Sequence, residues 1–196
     1  GLPQVVLTAP GSTQELKTTM TYDKLGRLSS TTPPTGAVQS IERTLCGSAT
    51  TFGCTNSARY HSYEKITVVG QPTAYKYFDK AGQVTKTAVQ AFDGINYNVG
   101  ITHYDKYGRA YRTSLPFKAA LNAADPSSPP WKTTYFDLLD RVVRIERPDG
   151  GITKFEYTTL DDLEGYGYTR KVSTLIAESK YRHTTETYTP QGKLLK

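Results

Sequence analysis

An aspartate recurs four times in one short frame, each time directly after an aromatic residue: Asp23, Asp79, Asp105 and Asp137. In three of these copies an arginine stands four positions later, at Arg27, Arg109 and Arg141. Repeated carboxylates could serve as general acids, or in pairs as the two acids of a glycosidase, with the guanidinium groups binding an anion. An enzyme rarely needs the same acid at four equivalent positions, so an architectural role is favoured.

The frame reads aromatic, Asp, two free positions, Gly, and then Arg or a polar residue. It occurs as YDKLGRL at 22–28, FDKAGQV at 78–84, YDKYGRA at 104–110 and FDLLDRV at 136–142, with a degenerate copy, YTPQGKL, at 188–194. The frame residues are Tyr22, Asp23, Gly26, Arg27, Phe78, Asp79, Gly82, Tyr104, Asp105, Gly108, Arg109, Phe136, Asp137, Arg141, Tyr188 and Gly192. The longer gaps between copies are about double the shorter ones, so further degenerate copies or insertions are expected in them.

Each copy is predicted to be the turn of a β-hairpin. The aspartate can accept hydrogen bonds from backbone N–H groups of the turn, and the glycine supplies a positive φ. Asp140 takes the glycine position in the fourth copy, and aspartate tolerates that conformation better than most residues. The predicted strands are Lys17–Tyr22, Arg27–Thr32, Tyr75–Phe78, Gln83–Ala91, Ile101–Tyr104, Arg109–Ser114, Thr133–Phe136 and Arg141–Arg147.

A second class of reversal alternates with the first, at 32–36, 92–96 and 147–151, and each carries Gly, some with Pro. Beside the last of these, Val143 and Ile145 share one face of a strand, while Arg144 and Glu146 share the other. This period of two with one polar face is typical of an antiparallel sheet. The sequence therefore predicts an all-β fold of stacked antiparallel hairpins.

Composition agrees with that fold and excludes several classes of protein. There are 15 Tyr against six Phe and one Trp, and hydrophobic residues are 37%, which favours half-buried strands over a large apolar core or a disordered chain. The net charge of +6 is spread along the chain, so no nucleic-acid partner is expected. No apolar run is long enough to span a membrane. Residues 115–130 are predicted to carry one short turn of helix followed by a Pro/Ser loop.

Cys46 and Cys54 lie in a Gly/Ser/Thr-rich insertion at about 45–70. Their spacing matches no paired zinc-binding pattern, so a short disulfide loop is favoured over two free thiols. A disulfide would indicate an oxidising compartment.

Other chemistry-bearing residues give weaker indications. His61, His103 and His183 are isolated, so no metal site is expected. The acidic segment at 159–169 holds Asp161, Asp162 and Glu164 and could bind calcium, but it lacks the order of a calcium loop, so a solvated loop is favoured. No cofactor is predicted.

The repeated frame resembles that of the RHS/YD-repeat proteins, which include bacterial polymorphic toxins, shell components of insecticidal toxin complexes and teneurins. The resemblance runs from about Thr18 to the end of the chain. Copies 22–28 and 104–110 match every fixed position, whereas Gln83, Asp140, and Thr189 with Lys193 depart from it. It implies hairpins that wind into a spiralling β-sheet and help to form a shell around a toxin or effector domain. The family's self-cleaving segment has no counterpart here, because the only Asp-Pro, Asp125–Pro126, is followed by Ser127.

The resemblance also implies a role for each frame residue. The aromatic ring would pack in a ladder of equivalent rings, the aspartate and glycine would form the turn, and the arginine would lie over the rings.

We therefore expect a non-catalytic structural module, a single repeat segment over 1–196 that belongs to a larger bacterial protein, secreted or on the cell surface. Its partners would be the remainder of the parent polypeptide and its effector domain. The alternative is a carbohydrate or cell-surface binding module that uses exposed Tyr, Trp131 and Arg side chains. A glycosidase is the third class, and the chain is expected not to be an enzyme.

Overall fold

The computed structural model describes residues 5–8, 16–47, 54, 59–160, 167–177 and 179–195. The regular secondary structure in these residues consists of β-strands, and paired strands run antiparallel. This confirms the expected all-β fold of consecutive hairpins. Across the same residues, no helix is long and apolar enough to cross a membrane. Asp161, Asp162 and Glu164 of the acidic segment lie outside the described residues.

The described part of the chain contains fifteen strands in sequence: β1 Val5–Thr8, β2 Leu16–Tyr22, β3 Leu28–Thr32, β4 Gln39–Leu45, β5 Ser62–Val68, β6 Ala74–Phe78, β7 Val84–Gln90, β8 Asn96–Tyr104, β9 Ala110–Ser114, β10 Phe117–Ala120, β11 Trp131–Phe136, β12 Val142–Glu146, β13 Ile152–Thr159, β14 Tyr168–Ala177 and β15 Lys180–Tyr188. The chain divides into two units. Unit 1 is Gly1–Ile101 with Pro116–Ser127, and unit 2 is Thr102–Leu115 with Ser128–Lys196.

In unit 1 each strand from β1 to the first part of β8 pairs with the next strand in the chain. Its largest fully buried side chains are Tyr60, Tyr77, Val99 and Ile101, with at most 2% exposure. Tyr63 and Tyr75 are also buried, and their rings lie 5.9 and 6.4 Å from the ring of Tyr77. Tyrosine rings therefore supply much of the core of this unit, which suits a chain with few aliphatic residues.

In unit 2 the end of β8 pairs with β9, and the hydrogen-bonded order continues through β11, β12, β13, β14 and β15. The buried residues among its described positions are Ser114, Pro129, Thr153 and Ser173. Apolar side chains such as Ile145 and Phe155 are only half buried. Unit 2 is therefore held together mainly by strand pairing and half-buried faces, and less by a sealed core.

The helical turn expected in residues 115–130 is wrong. Phe117–Ala120 is strand β10, and its Phe117 pairs with Val99 of β8 and its Ala120 with Asn96. Along β10 half-buried and exposed residues alternate, which is the period of a strand. The free hydrogen-bonding edge of β8 decides the outcome here, because a tertiary partner overrides the weak helix preference of a short Lys-Ala-Ala stretch.

Candidate functional site: the aspartate turns

Four of the frame aromatics end a strand and mark an irregularity in pairing. Strands β2, β6, β8 and β11 end at Tyr22, Phe78, Tyr104 and Phe136. At each of these residues the pairing with the following strand shifts its register. Three positions after each aspartate, the backbone has a positive φ, between 61° and 81°. A tight turn followed by a left-handed residue and a bulge is a common way to close a hairpin.

Asp105 illustrates how the carboxylate forms the turn. Its Oδ1 accepts hydrogen bonds from the backbone N–H of Tyr107, at 2.8 Å, and of Arg109, at 3.0 Å. Its Oδ2 accepts from Arg109 Nε at 2.8 Å. The backbone closes the same turn, because Gly108 N–H donates to the Asp105 carbonyl at 3.0 Å. Both carboxylate oxygens therefore have partners within five residues of chain.

The same bonds recur in two other copies. Asp23 Oδ1 accepts from the N–H of Leu25 and of Arg27, both at 2.9 Å, and Oδ2 accepts from Arg27 Nε at 2.7 Å. Asp137 Oδ1 accepts from the N–H of Leu139 and of Arg141, also at 2.9 Å, and Oδ2 accepts from Arg141 Nε at 2.7 Å.

Copies with departures keep part of this arrangement. Asp79 accepts from the N–H of Ala81 and of Gln83, both at 2.9 Å, although Gln83 replaces the arginine. In the degenerate copy, Thr189 Oγ1 accepts from the N–H of Lys193 at 3.2 Å, and Gly192 has a φ of 82°. The backbone turn is thus common to all five copies, while the ion pair belongs to the copies that have arginine.

The turn bonds also affect the acidity of the aspartates. The pKa of Asp23 is lowered, first by the hydrogen bond from the Arg27 N–H and further by the Arg27 guanidinium and the Leu25 N–H. For Asp105 and Asp137, desolvation alone would raise the pKa, but bonds from the following N–H groups and arginines outweigh it, so the pKa of each is lowered. A general acid at neutral pH needs the opposite, a raised pKa.

The arginines of the frame also contact aromatic rings. The Arg109 guanidinium carbon lies 4.8 Å from the ring centre of Phe136, and that of Arg141 lies 4.4 Å from the ring centre of Tyr157. Of the frame rings, Tyr188 stacks on Tyr168 with ring centres 5.1 Å apart. Tyr168 does not occupy a frame position. The Tyr188–Tyr168 stack is therefore not part of the ladder of equivalent frame rings that the resemblance implied.

A groove of about 440 Å³ lies beside two adjacent turns of unit 2. Its lining residues are Tyr107, Arg109, Phe136, Asp137, Leu138 and Asp140. The guanidinium of Arg109 in this groove is already paired with Asp105 and Asp140. The groove therefore offers a ligand no uncompensated cation.

Cys46 and Cys54 form a disulfide in the structure, with Cα atoms 5.4 Å apart. Both residues are buried, at 7% exposure. Most residues of the loop that they close lie outside the described positions.

The three histidines contact different neighbours. His103 packs its ring against Trp131, with ring centres 4.7 Å apart, and His183 Nδ1 lies 2.8 Å from Ser173 Oγ. The backbone N–H of His61 donates to Phe78. Over the residues with described positions, no group of three or more His, Cys, Asp or Glu side chains could hold a metal ion.

Sequence reasoning missed a cluster around Asp125 in unit 1. Its carboxylate contacts Lys86, Tyr60 and Arg59, which are distant from it in the chain. One signal was available: the alternation of β7 puts Lys86 and Ala88 on the same face, and both are buried. A lysine on the apolar face of a strand needs a partner.

No family model and no curated protein sequence matches the chain. Among the solved structures similar to it are the following two. "Crystal Structure of TcdB2-TccC3-Cdc42" has 12% identity and a TM-score of 0.48 over 99% of this chain and 10% of that one. "Crystal Structure of TcdB2-TccC3" has 12% identity and a TM-score of 0.42 over 91% of this chain and 14% of that one. The chain thus spans a small part of either protein, and neither likeness bears on activity or partners.

Proposed function

We propose that the chain is a non-catalytic structural module, a stretch of hairpin wall in a larger secreted or surface protein that encloses or presents an attached effector domain. One observation carries this proposal: the same aspartate device closes four successive frame turns, and each carboxylate is used by the backbone of its own turn. Such a carboxylate is a building element of the turn, and the lowered pKa of Asp23, Asp105 and Asp137 makes these three poor proton donors.

The way in which the strands pair also supports a wall. Within each unit, successive hairpins pair edge to edge in chain order, so that the array extends in one direction as repeats are added. Few of the described residues of unit 2 are buried, and both faces of the sheet keep half-buried side chains. An extended sheet of this kind suits a surface that separates two spaces better than it suits a globular domain around a core.

Sugar binding receives less support from the aromatic residues. The ring of Trp131, the sole tryptophan, has the guanidinium carbon of Arg112 4.9 Å from its centre and the ring of His103 against it. These contacts favour a packing role for Trp131 over stacking on a sugar.

Limited proteolysis of the native polypeptide that carries this segment tests the proposal. We expect the effector domain to resist a protease that cleaves the same domain expressed alone, and electron microscopy to reveal a hollow particle. Gly108→Val, which damages a turn, should make the effector sensitive. Ala110→Val is the matched control, because it places the same side chain at an exposed strand position two residues away.

Equal cleavage of the effector in the native and Gly108→Val proteins would contradict the enclosing role. Two further assays address the other classes of function. Binding on a glycan array that survives Gly108→Val but is lost on changing exposed tyrosines would favour a carbohydrate module. Hydrolysis of a glycoside that is lost in Asp105→Asn and kept in Gly108→Val would favour an enzyme.

A further inference from the structure

The Asp125 cluster brings an amine and a carboxyl group together in a place that water hardly reaches. Lys86 Nζ lies 3.0 Å from Asp125 Oδ1. The Lys86 side chain is 3% exposed and that of Asp125 is 13% exposed. On the other oxygen, Oδ2, the carboxylate accepts a hydrogen bond from Tyr60 and lies 3.5 Å from Arg59 Nη1.

Two tyrosine rings form the walls around the amine. Lys86 Nζ is 5.4 Å from the ring centre of Tyr60 and 5.3 Å from that of Tyr77. Both tyrosines have 0% exposure. In such a setting a Lys–Asp ion pair loses the hydration of both charges, which is costly to the folded chain.

The geometry points to a covalent bond at this place: we propose that Lys86 Nζ and Asp125 Cγ condense into an intramolecular isopeptide. The amine attacks Cγ, the C–N bond forms, and the bond from Cγ to Oδ1 breaks. Oδ1 leaves as water with two of the three ammonium protons, and the third proton remains on the amide nitrogen. No oxidant or other reactant is needed, and net charge is unchanged.

The remaining two neighbours stabilise the intermediate. As the amine attacks, negative charge develops on Oδ2, where the Tyr60 hydroxyl donates and the Arg59 guanidinium is close. Burial and, after it, the Asp125 carboxylate raise the pKa of Tyr60, so its hydroxyl keeps the proton with which it donates. The buried rings of Tyr60 and Tyr77 form a cage around this site that excludes water, which disfavours hydrolysis of the amide once it has formed.

Another Lys–Asp pair of unit 1 offers a comparison within the same molecule. Lys118 Nζ lies 2.7 Å from Asp93 Oδ2, closer than in the buried pair, but the side chains are 59% and 32% exposed. Water hydrates both of these charges, so burial imposes no such cost on this pair and no condensation is expected. The difference between the two pairs is therefore the cage, and not the distance.

Intact mass spectrometry of the purified chain, reduced so that the disulfide does not contribute, tests the proposal. We expect a mass lower than that of the sequence by one water molecule. After trypsin, the peptide with Lys86 should appear joined to the peptide with Asp125, without cleavage after Lys86. Lys86→Arg should restore the full mass, and Tyr60→Phe should slow or prevent the loss of water. The control variant Lys118→Arg should still lose one water molecule.

The wild-type measurement is decisive even if a cluster variant does not fold. A full mass for the folded wild-type chain would overturn the proposal. So would a water loss that tandem spectra assign to a succinimide at Asp93–Gly94 or Asp149–Gly150, which has the same mass and, unlike an isopeptide, opens in mild base.

Discussion

Arg109 Nη1 lies 2.6 Å from Oδ1 of Asp140, the residue that replaces glycine in the turn of the next copy. The same nitrogen donates to the carbonyl of Asp137 at 3.2 Å, while Nε of Arg109 stays on Asp105 of its own turn. One guanidinium thus joins two successive turns of unit 2. Asp140 has a φ of 61°, so the contact with Arg109 compensates for a backbone conformation that glycine would adopt more easily.

Replacing Asp140 by glycine should therefore have a small net effect. Asp140→Gly relieves the backbone cost of a positive φ and loses an ion pair whose carboxylate is 75% exposed, and these changes oppose each other. We expect a melting temperature within a few degrees of the parent. Asp140→Val loses the pair and worsens the strain, so it should melt well below both. Equal melting of the Gly and Val variants would refute the left-handed turn position.

Gly108→Val should destabilise the chain by roughly 1–3 kcal/mol, since a β-branched residue is strained at a positive φ. The φ of Gly108 is 81°. Ala110→Val, at an exposed position of β9, is the control and should leave stability nearly unchanged. Urea denaturation of both variants measures the difference, and a Gly108→Val midpoint equal to that of the control would contradict the turn geometry.

Among the glycines of unit 2 whose positions the structure describes, Gly167 is expected to be the least replaceable. A Cβ at this position would lie 2.1 Å from the carbonyl oxygen of Tyr188, and the φ is 154°. Gly150 has a φ of 82°, but a Cβ added there would have nothing within 4 Å, so Gly150→Ala costs only the backbone term, roughly 1 kcal/mol. Gly167→Ala should cost clearly more in thermal or urea unfolding. Similar values for the two variants would mean that the backbone near Tyr188 moves aside at no cost.

Acid should weaken the turns that use a carboxylate. The pKa of Asp105 is lowered in the folded chain, so its contribution to stability is complete above the unfolded pKa of about 3.9 and is lost as the pH falls through the folded value. Asp105→Asn keeps an acceptor oxygen without the charge. The gap in melting temperature between wild type and this variant should be constant from neutral pH to about 5 and close below about 4. A gap that is independent of pH would show that the charge is not what stabilises the turn.

The disulfide predicts a simple chemical result. Without reductant, Cys46 and Cys54 should take up no alkylating reagent even in denaturant, and after reduction they should take up two adducts. Because the cysteines are 8 positions apart, reduction should lower stability by about 2.5 kcal/mol in the chain-entropy estimate. Two adducts on unreduced, unfolded protein would demonstrate free thiols and remove the argument for an oxidising compartment.

The sequence predicted those features that local chemistry determines. The strand ends at Tyr22 and Phe136 and the positive φ of Gly108 follow from residues within a few positions of each turn. Features that depend on distant partners were missed. Strand β10 forms because it pairs with a free edge of β8. Asp125 contacts Lys86, which lies 39 positions away in the sequence. No local pattern at Asp125 indicates that meeting, although the lysine on the buried face of β7 indicates that a partner exists.

The scarcity of buried apolar residues in unit 2 has a consequence for how this half of the chain tolerates mutation. In a globular domain the interior is the region least open to substitution, and the loops vary most. In unit 2 the faces of the strands are half exposed, whereas turns such as Asp105–Arg109 and Asp137–Arg141 depend on specific side chains and backbone angles. Amino-acid substitutions should therefore accumulate along the strands, whereas the turns should be the most strictly maintained positions. This is the inverse of the pattern of sequence variation in a globular domain.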